Sequence, residues 1–136
     1  MTWAGLACDE LYLRWSSAGV GPWIFFDHAG LAVFPPAGGI DVRPHPHSNL
    51  ATVSYLFDGA IMHRDSLDNE IAIVPGDINL MVAEKGIVHS ERTPDNVRAA
   101  GHTLHLLQLL LALPEPEEET APRFITTTPV SYRLLN

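Results

Sequence analysis

The sequence predicts an all-β protein built as one antiparallel barrel or sandwich, and three observations carry that prediction. Short runs rich in β-branched and aromatic residues recur at spacings of about 8 to 12 residues, separated by Gly, Pro, Asn and Asp. The 11 prolines argue against long helices. A chain of 136 residues, 46% hydrophobic and 18% charged, can bury one proper core but not comfortably two.

Taken in order, Leu11–Trp15 is the first expected strand, closed by Ser16-Ser17-Ala18-Gly19. Trp23–His28 is the second, apolar enough along its length to suggest burial on both sides. Phe34-Pro35-Pro36-Ala37-Gly38-Gly39 forms a loop, since two prolines and two glycines suit neither helix nor strand interior. Pro44 and Pro46 lack amide hydrogens and confine the next segment to a strand start, a bulge or an edge. Leu50–Phe57 reads as a strand ended by the turn Asp58-Gly59, across which Met62–Arg64 is expected to pair back. Ile71–Val74 and Ile78–Val82 are strands joined by the tight turn Val74-Pro75-Gly76-Asp77. Lys85-Gly86 turns the chain into the strand Ile87–Glu91. The leucine-rich run Leu104–Leu113 has helical propensity, but a helix is out of place among so many hairpins, so it is read as a strand. Residues 1–113 thus form the domain, 114–122 an acidic, proline-rich linker, and 123–136 a tail that docks on the barrel or swaps onto another subunit. No internal repeat is evident.

Eight Lys+Arg against 16 Asp+Glu leave a formal charge of -8, which disfavours direct nucleic-acid binding. Cys8 is the only cysteine, so neither an intramolecular disulfide nor a cysteine-rich zinc site is available. The N-terminal residues lack a basic region followed by an apolar run, and no stretch reaches the roughly 18 apolar residues of a membrane span. The expectation is a cytoplasmic protein with no membrane contact.

Two segments carry chemistry. Side chains alternate faces along a strand, so His45 and His47 point the same way, and so do His89 and Glu91. Brought side by side or face to face, three imidazoles and one carboxylate make a metal site suited to Fe(II), Mn(II), Co(II), Ni(II), Cu(II) or Zn(II). Four such ligands on an octahedral ion leave two positions for water, dioxygen or substrate, and Glu91, loosened from the metal, could accept a proton from a substrate hydroxyl. The bland alternative is a proline-shaped loop beside a solvated strand edge. Of the other histidines, His28 reads as a structural hydrogen-bonding group, His63 and His102 as surface or turn residues, and His105 as a satisfied core residue.

The runs Gly21–His28, Arg43-Pro44-His45-Pro46-His47, Leu50–Gly59, His63-Arg64-Asp65-Ser66-Leu67, Pro75-Gly76-Asp77 and Gly86–Arg92 resemble, in order and with compatible gaps, the pirin family of cupins. That resemblance implies a single double-stranded β-helix of antiparallel jelly-roll type, with His45, His47, His89 and Glu91 as ligands of a metal, usually iron. Cupins in general place a glutamate a few residues after the His-x-His pair. Here Ala51 stands there, and the carboxylate comes from Glu91, as in pirins. The family includes quercetin 2,3-dioxygenase-like enzymes, which open a flavonol with dioxygen and release carbon monoxide, and metal-dependent transcriptional cofactors. The resemblance therefore implies a dioxygenase for a flavonol or other phenolic small molecule with Glu91 as catalytic base, or else a non-catalytic redox sensor acting through protein partners. A metal-free remnant with a structural role is a third reading.

Two departures stand out. The resemblance reaches only the first of the two cupin domains usual in pirins, which predicts either self-association or coverage of exposed apolar surface by residues 123–136. Glu84 replaces a common glycine in the turn before Gly86, which calls the local turn geometry into question.

Overall fold

The computed structural model describes Thr2–Trp3, Leu6–Leu11, residues 21–117 and residues 119–128. Of the strand expected at 11–15, only Leu11 lies among them, closing a strand at Leu6–Leu11. Residues 12–20 and the tail beyond 128 lie outside the described residues. In chain order the strands are β1 Thr2–Trp3, β2 Leu6–Leu11, β3 Trp23–Phe34, β4 Asp41–His47, β5 Leu50–Asp58, β6 Ile61–Asp65, β7 Glu70–Ile73, β8 Ile78–Val82, β9 Ile87–Arg92, β10 His102–Ala112 and β11 Arg123–Thr127. A short helix, α1 at Asp95–Ala100, and a 3-10 turn at Glu115–Glu117 interrupt them. Among the described residues no helix is long and apolar enough to cross a membrane.

The strands form two antiparallel sheets, one ordered β1-β2-β3-β10-β5-β8-β11 and the other β4-β9-β6-β7. The leucine-rich run is strand β10, flanked by β3 and β5. Its alternation resolves the ambiguity of its composition: Leu104, Leu106 and Gln108 are buried, while the residues between them are only half-buried. Ala29, Leu56, Leu104 and Leu106 from the large sheet meet Ile61 and Ile73 from the small one in a single core, with Ile40 completing it.

One expected pairing is corrected. β6 does not pair back on β5; it lies between β7 and β9 in the other sheet. The chain changes sheets at Asp58-Gly59-Ala60, where Gly59 has φ 88° and an added Cβ would come within 2.5 Å of the Thr103 carbonyl oxygen. A tight hairpin there would have left the inner face of β6, Ile61 and His63, on the wrong side of the core.

β11 adds to the edge of the large sheet, pairing with β8 from Arg123 against Val82 to Thr127 against Ile78. Arg123 also reaches Glu84, whose side chain is fully buried. Glu84 holds the turn at φ 46°, and its carbonyl accepts the Asn49 amide at 2.8 Å. The turn thus accommodates a non-glycine residue and uses its carboxylate to anchor the last strand.

Candidate metal centre

β4 is the edge of the small sheet, and its pairing with β9 carries an irregularity between Val42 and His45. Pro44 and Pro46 therefore stand where their missing amide hydrogens are tolerated, on an edge strand and beside a bulge. Across the ladder His45 faces His89 directly, and His47 lies on the same face two residues on. One donor nitrogen from each of His45, His47 and His89 lies within 4.8 Å of the others, and the ring centroids are 4.4 to 5.1 Å apart.

Burial and neighbouring imidazoles disfavour protonation of His47 and His89. His89 is 3% exposed, and burial, followed by the nearby imidazoles of His45, His63 and His47, pushes its pKa down to about 3. Burial, then His45, lowers that of His47 as well. His45 Nδ1–H donates to the backbone carbonyl of Arg43 at 2.9 Å, which leaves the lone pair on Nε2. Both ring nitrogens of His89 are buried without a hydrogen-bond partner. Buried polar atoms are nearly always satisfied, so an orphaned imidazole against two others fits a metal that takes their lone pairs. His45, His47 and His89 could hold such an ion.

Glu91 is placed differently. It is buried beside the trio, one alternation from His89 on β9, but its carboxylate is not part of the mutual 4.8 Å cluster. Gln108 of β10 donates to its Oε1 at 3.3 Å and to Ser54 Oγ at 3.2 Å. Burial pushes the Glu91 pKa up to about 7, with the Gln108 hydrogen bond opposing it. Gln108 belongs to a polar row running across five strands, Asp27, Gln108, Ser54, Asn79 and Thr126, in direct register. The interior of the large sheet is therefore apolar at one level and polar at the level that meets Glu91.

His63 corrects the sequence reading. It is not a surface residue: it is 2% exposed, faces Glu91 across the β6–β9 ladder and lies 5.2 Å from the His89 ring. Its Nε2 donates to Asp65 at 2.9 Å, and Phe124 of β11 stacks on it at 4.1 Å. Burial tends to raise the Asp65 pKa; hydrogen bonds from His63, Asn69 and the Leu67 and Asn69 amides outweigh it and hold the group below its usual value. His102, the first residue of β10 after the Gly101 cap, is half-buried, stacking on Phe34 at 4.9 Å with both ring nitrogens covered. His28 and His105 hydrogen-bond to each other at 2.7 Å. The missed pair was legible: His63-x-Asp65 is a third alternating pair, and the spacing argument used for His45-x-His47 and His89-x-Glu91 selects it too. Gln108 also had a signal, as the polar residue inside a leucine run.

Comparison with known proteins agrees with this architecture. The family model described as Pirin matches residues 10–111. A pirin-like protein of Caulobacter vibrioides is 46% identical over 107 residues, covering 77% of this chain and 37% of its own. A Pseudomonas aeruginosa protein provisionally named quercetin 2,3-dioxygenase is 46% identical over 105 residues, covering 77% and 32%. The crystal structure of a quercetin 2,3-dioxygenase from Acinetobacter baumannii superposes with a TM-score of 0.83 at 36% identity, over 94% of this chain and 41% of that one. A bacterial pirin from Escherichia coli solved in complex with nickel(II), 23% identical with a TM-score of 0.69, shares the fold. The chain spans only about a third to two fifths of the length of these first relatives. With the family model covering three quarters of the sequence, and an antiparallel β-structure carrying a three-histidine cluster, the chain belongs to the pirin family of cupins.

Proposed function

We propose that this domain is a metal-dependent dioxygenase of the quercetin 2,3-dioxygenase type, acting on a flavonol or another phenolic small molecule. The observation that carries the reading is the convergence of three imidazoles, one buried with neither ring nitrogen hydrogen-bonded, beside a buried carboxyl group. The names of the relatives supply the reaction class. His45, His47 and His89 are the proposed ligands, with Glu91 as the fourth. Iron(II) is the metal proposed, although the same donors suit nickel, cobalt, manganese, copper or zinc. When bound, such an ion supplies Lewis acidity toward a phenolic oxygen and, if redox-active, a means of engaging dioxygen.

The residues divide the remaining work. Arg43 fixes the His45 tautomer, and Gln108 orients the Glu91 carboxyl. Glu91 is the proposed base: loosened from the ion, its buried carboxylate, next to the imidazole cluster, would take a proton from a phenolic hydroxyl and return it.

Elemental analysis of protein purified without added metal tests the first half: about one transition-metal ion per chain is expected, and the His45→Ala/His47→Ala double variant should have lost it. Dioxygen-dependent consumption of quercetin tests the second. Glu91→Gln should lower turnover by about a hundredfold, in line with removal of a general base. Wild-type turnover in Glu91→Gln at equal metal content would eliminate the base role.

A further inference from the structure

The cavity beside His47 has a chemical character that the metal cluster does not explain. It holds about 340 Å³, and its walls include Pro46, His47, Ser48, Ser66, Lys85 and Ile87. None of its lining residues is acidic, in a chain with 16 Asp+Glu and a formal charge of -8. Lys85 is the only lysine in the sequence. It is exposed and, among the described residues, makes no hydrogen bond or ion pair, whereas Arg64, Arg98 and Arg123 are each tied to a carboxylate. Pro46, Ile87 and the 43% exposed Val88 provide an apolar wall next to it. A larger cavity of about 590 Å³, on the outer side of the small sheet, makes the contrast. There Arg64, Arg92 and Arg98 are matched by Asp41, Glu70 and Asp95, so it has no net preference for an anion.

We propose that the cavity beside His47 is where the substrate seats, and that Lys85 selects an aromatic ligand carrying an anionic oxygen, either phenolate or carboxylate. The inference rests on the phenol-directed reading of the site and adds a specificity residue to it. An apolar wall accepts the ring, and the uncompensated ammonium group receives the anion at contact distance, while the protein's overall negative charge works against anions elsewhere. His47 lines the same space, so a ligand held by Lys85 lies beside one of the proposed metal ligands.

Because the chain has one lysine, the test can read that side chain directly. Acylation of Lys85 by an amine-directed reagent, followed by peptide mass spectrometry in mildly alkaline buffer, is measured with quercetin (phenolate), benzoate (carboxylate) or unsubstituted flavone (neutral). Quercetin, benzoate or both should slow acylation, which identifies the preferred anion; flavone should not. Lys85→Met should weaken binding of the protecting anion about fivefold and Lys85→Glu further, with metal content unchanged and with wild-type affinity falling as salt rises. If quercetin is turned over while Lys85 remains unprotected and both variants bind as wild type does, the Lys85 assignment is overturned and the dioxygenase reading stands. If benzoate protects Lys85 while quercetin is neither bound nor turned over, the anion site stands and the flavonol reading falls. Protection by flavone equal to that by the anions would also overturn the assignment.

Discussion

His89 and Glu91 sit two residues apart on one strand, and burial displaces both pKa values toward the neutral form, in opposite directions along the pH scale. For His89 the folded pKa is depressed, from 6.5 to about 3. Its contribution to stability is complete above pH 6.5 and is lost as pH falls toward 3. For Glu91 the folded pKa is raised, from 4.5 to about 7; its contribution is complete below pH 4.5 and is lost as pH rises to 7. Between pH 4.5 and 6.5 the two slopes oppose each other. Metal-free Glu91→Gln should therefore lose about 2 kcal/mol more stability than wild type on acidification across that window, since each pH unit of differential protonation is worth about 1.4 kcal/mol. Urea unfolding at several pH values checks this; parallel curves for the two proteins would show that Glu91 is not buried in its neutral form. The residue types at this site were legible from the sequence, because alternation in a strand requires only local geometry. That Glu91 leans on Gln108 rather than joining the imidazole cluster was not, because Gln108 arrives from a strand 17 residues away in the opposite sheet.

At the level of elements, one ion pair with a buried carboxylate adds to the ladder that holds the last described strand. Glu84 is fully buried and Arg123, half-exposed, reaches it from β11, which also brings Phe124 onto His63. Arg123→Ala leaves a buried carboxylate without its partner and should cost about 3 kcal/mol, whereas adding Glu84→Gln to that variant should recover much of the loss. A double-mutant cycle in urea measures the coupling, and additive effects of the two substitutions would show that β11 is held by its ladder hydrogen bonds and by Phe124 alone. The strands β3, β5 and β7 to β10 could be located from composition and turn signals, since Gly, Pro and Asp residues mark their ends. The partners of those strands could not all be located the same way. The Asp58-Gly59 turn has the composition of a hairpin, yet here it carries the chain from one sheet to the other, because the apolar face of β6 finds its core opposite β5 rather than beside it.

For the molecule as a whole, a metal held by His45, His47 and His89 would clamp the edge strand β4 to the central β9, so binding should stabilise the entire fold. Adding Fe(II) anaerobically, or Ni(II), to chelator-treated protein should raise the melting temperature by several degrees, and the His45→Ala/His47→Ala variant should show no rise. An equal rise in that variant would place the metal elsewhere. The sequence by itself determined the all-β class, the place of most strands, and the alternation that puts His45 with His47 and His89 with Glu91, because each depends on a period of two or on a turn residue acting over a few positions. Only the tertiary structure decided that β4 is an edge, that His63 and Asp65 stand buried beside the cluster, that a polar row crosses five strands to meet Glu91, and that Lys85 overlooks His47. Those facts depend on which strands become neighbours, and that is settled by burying apolar faces across long sequence separations, information that no single segment carries.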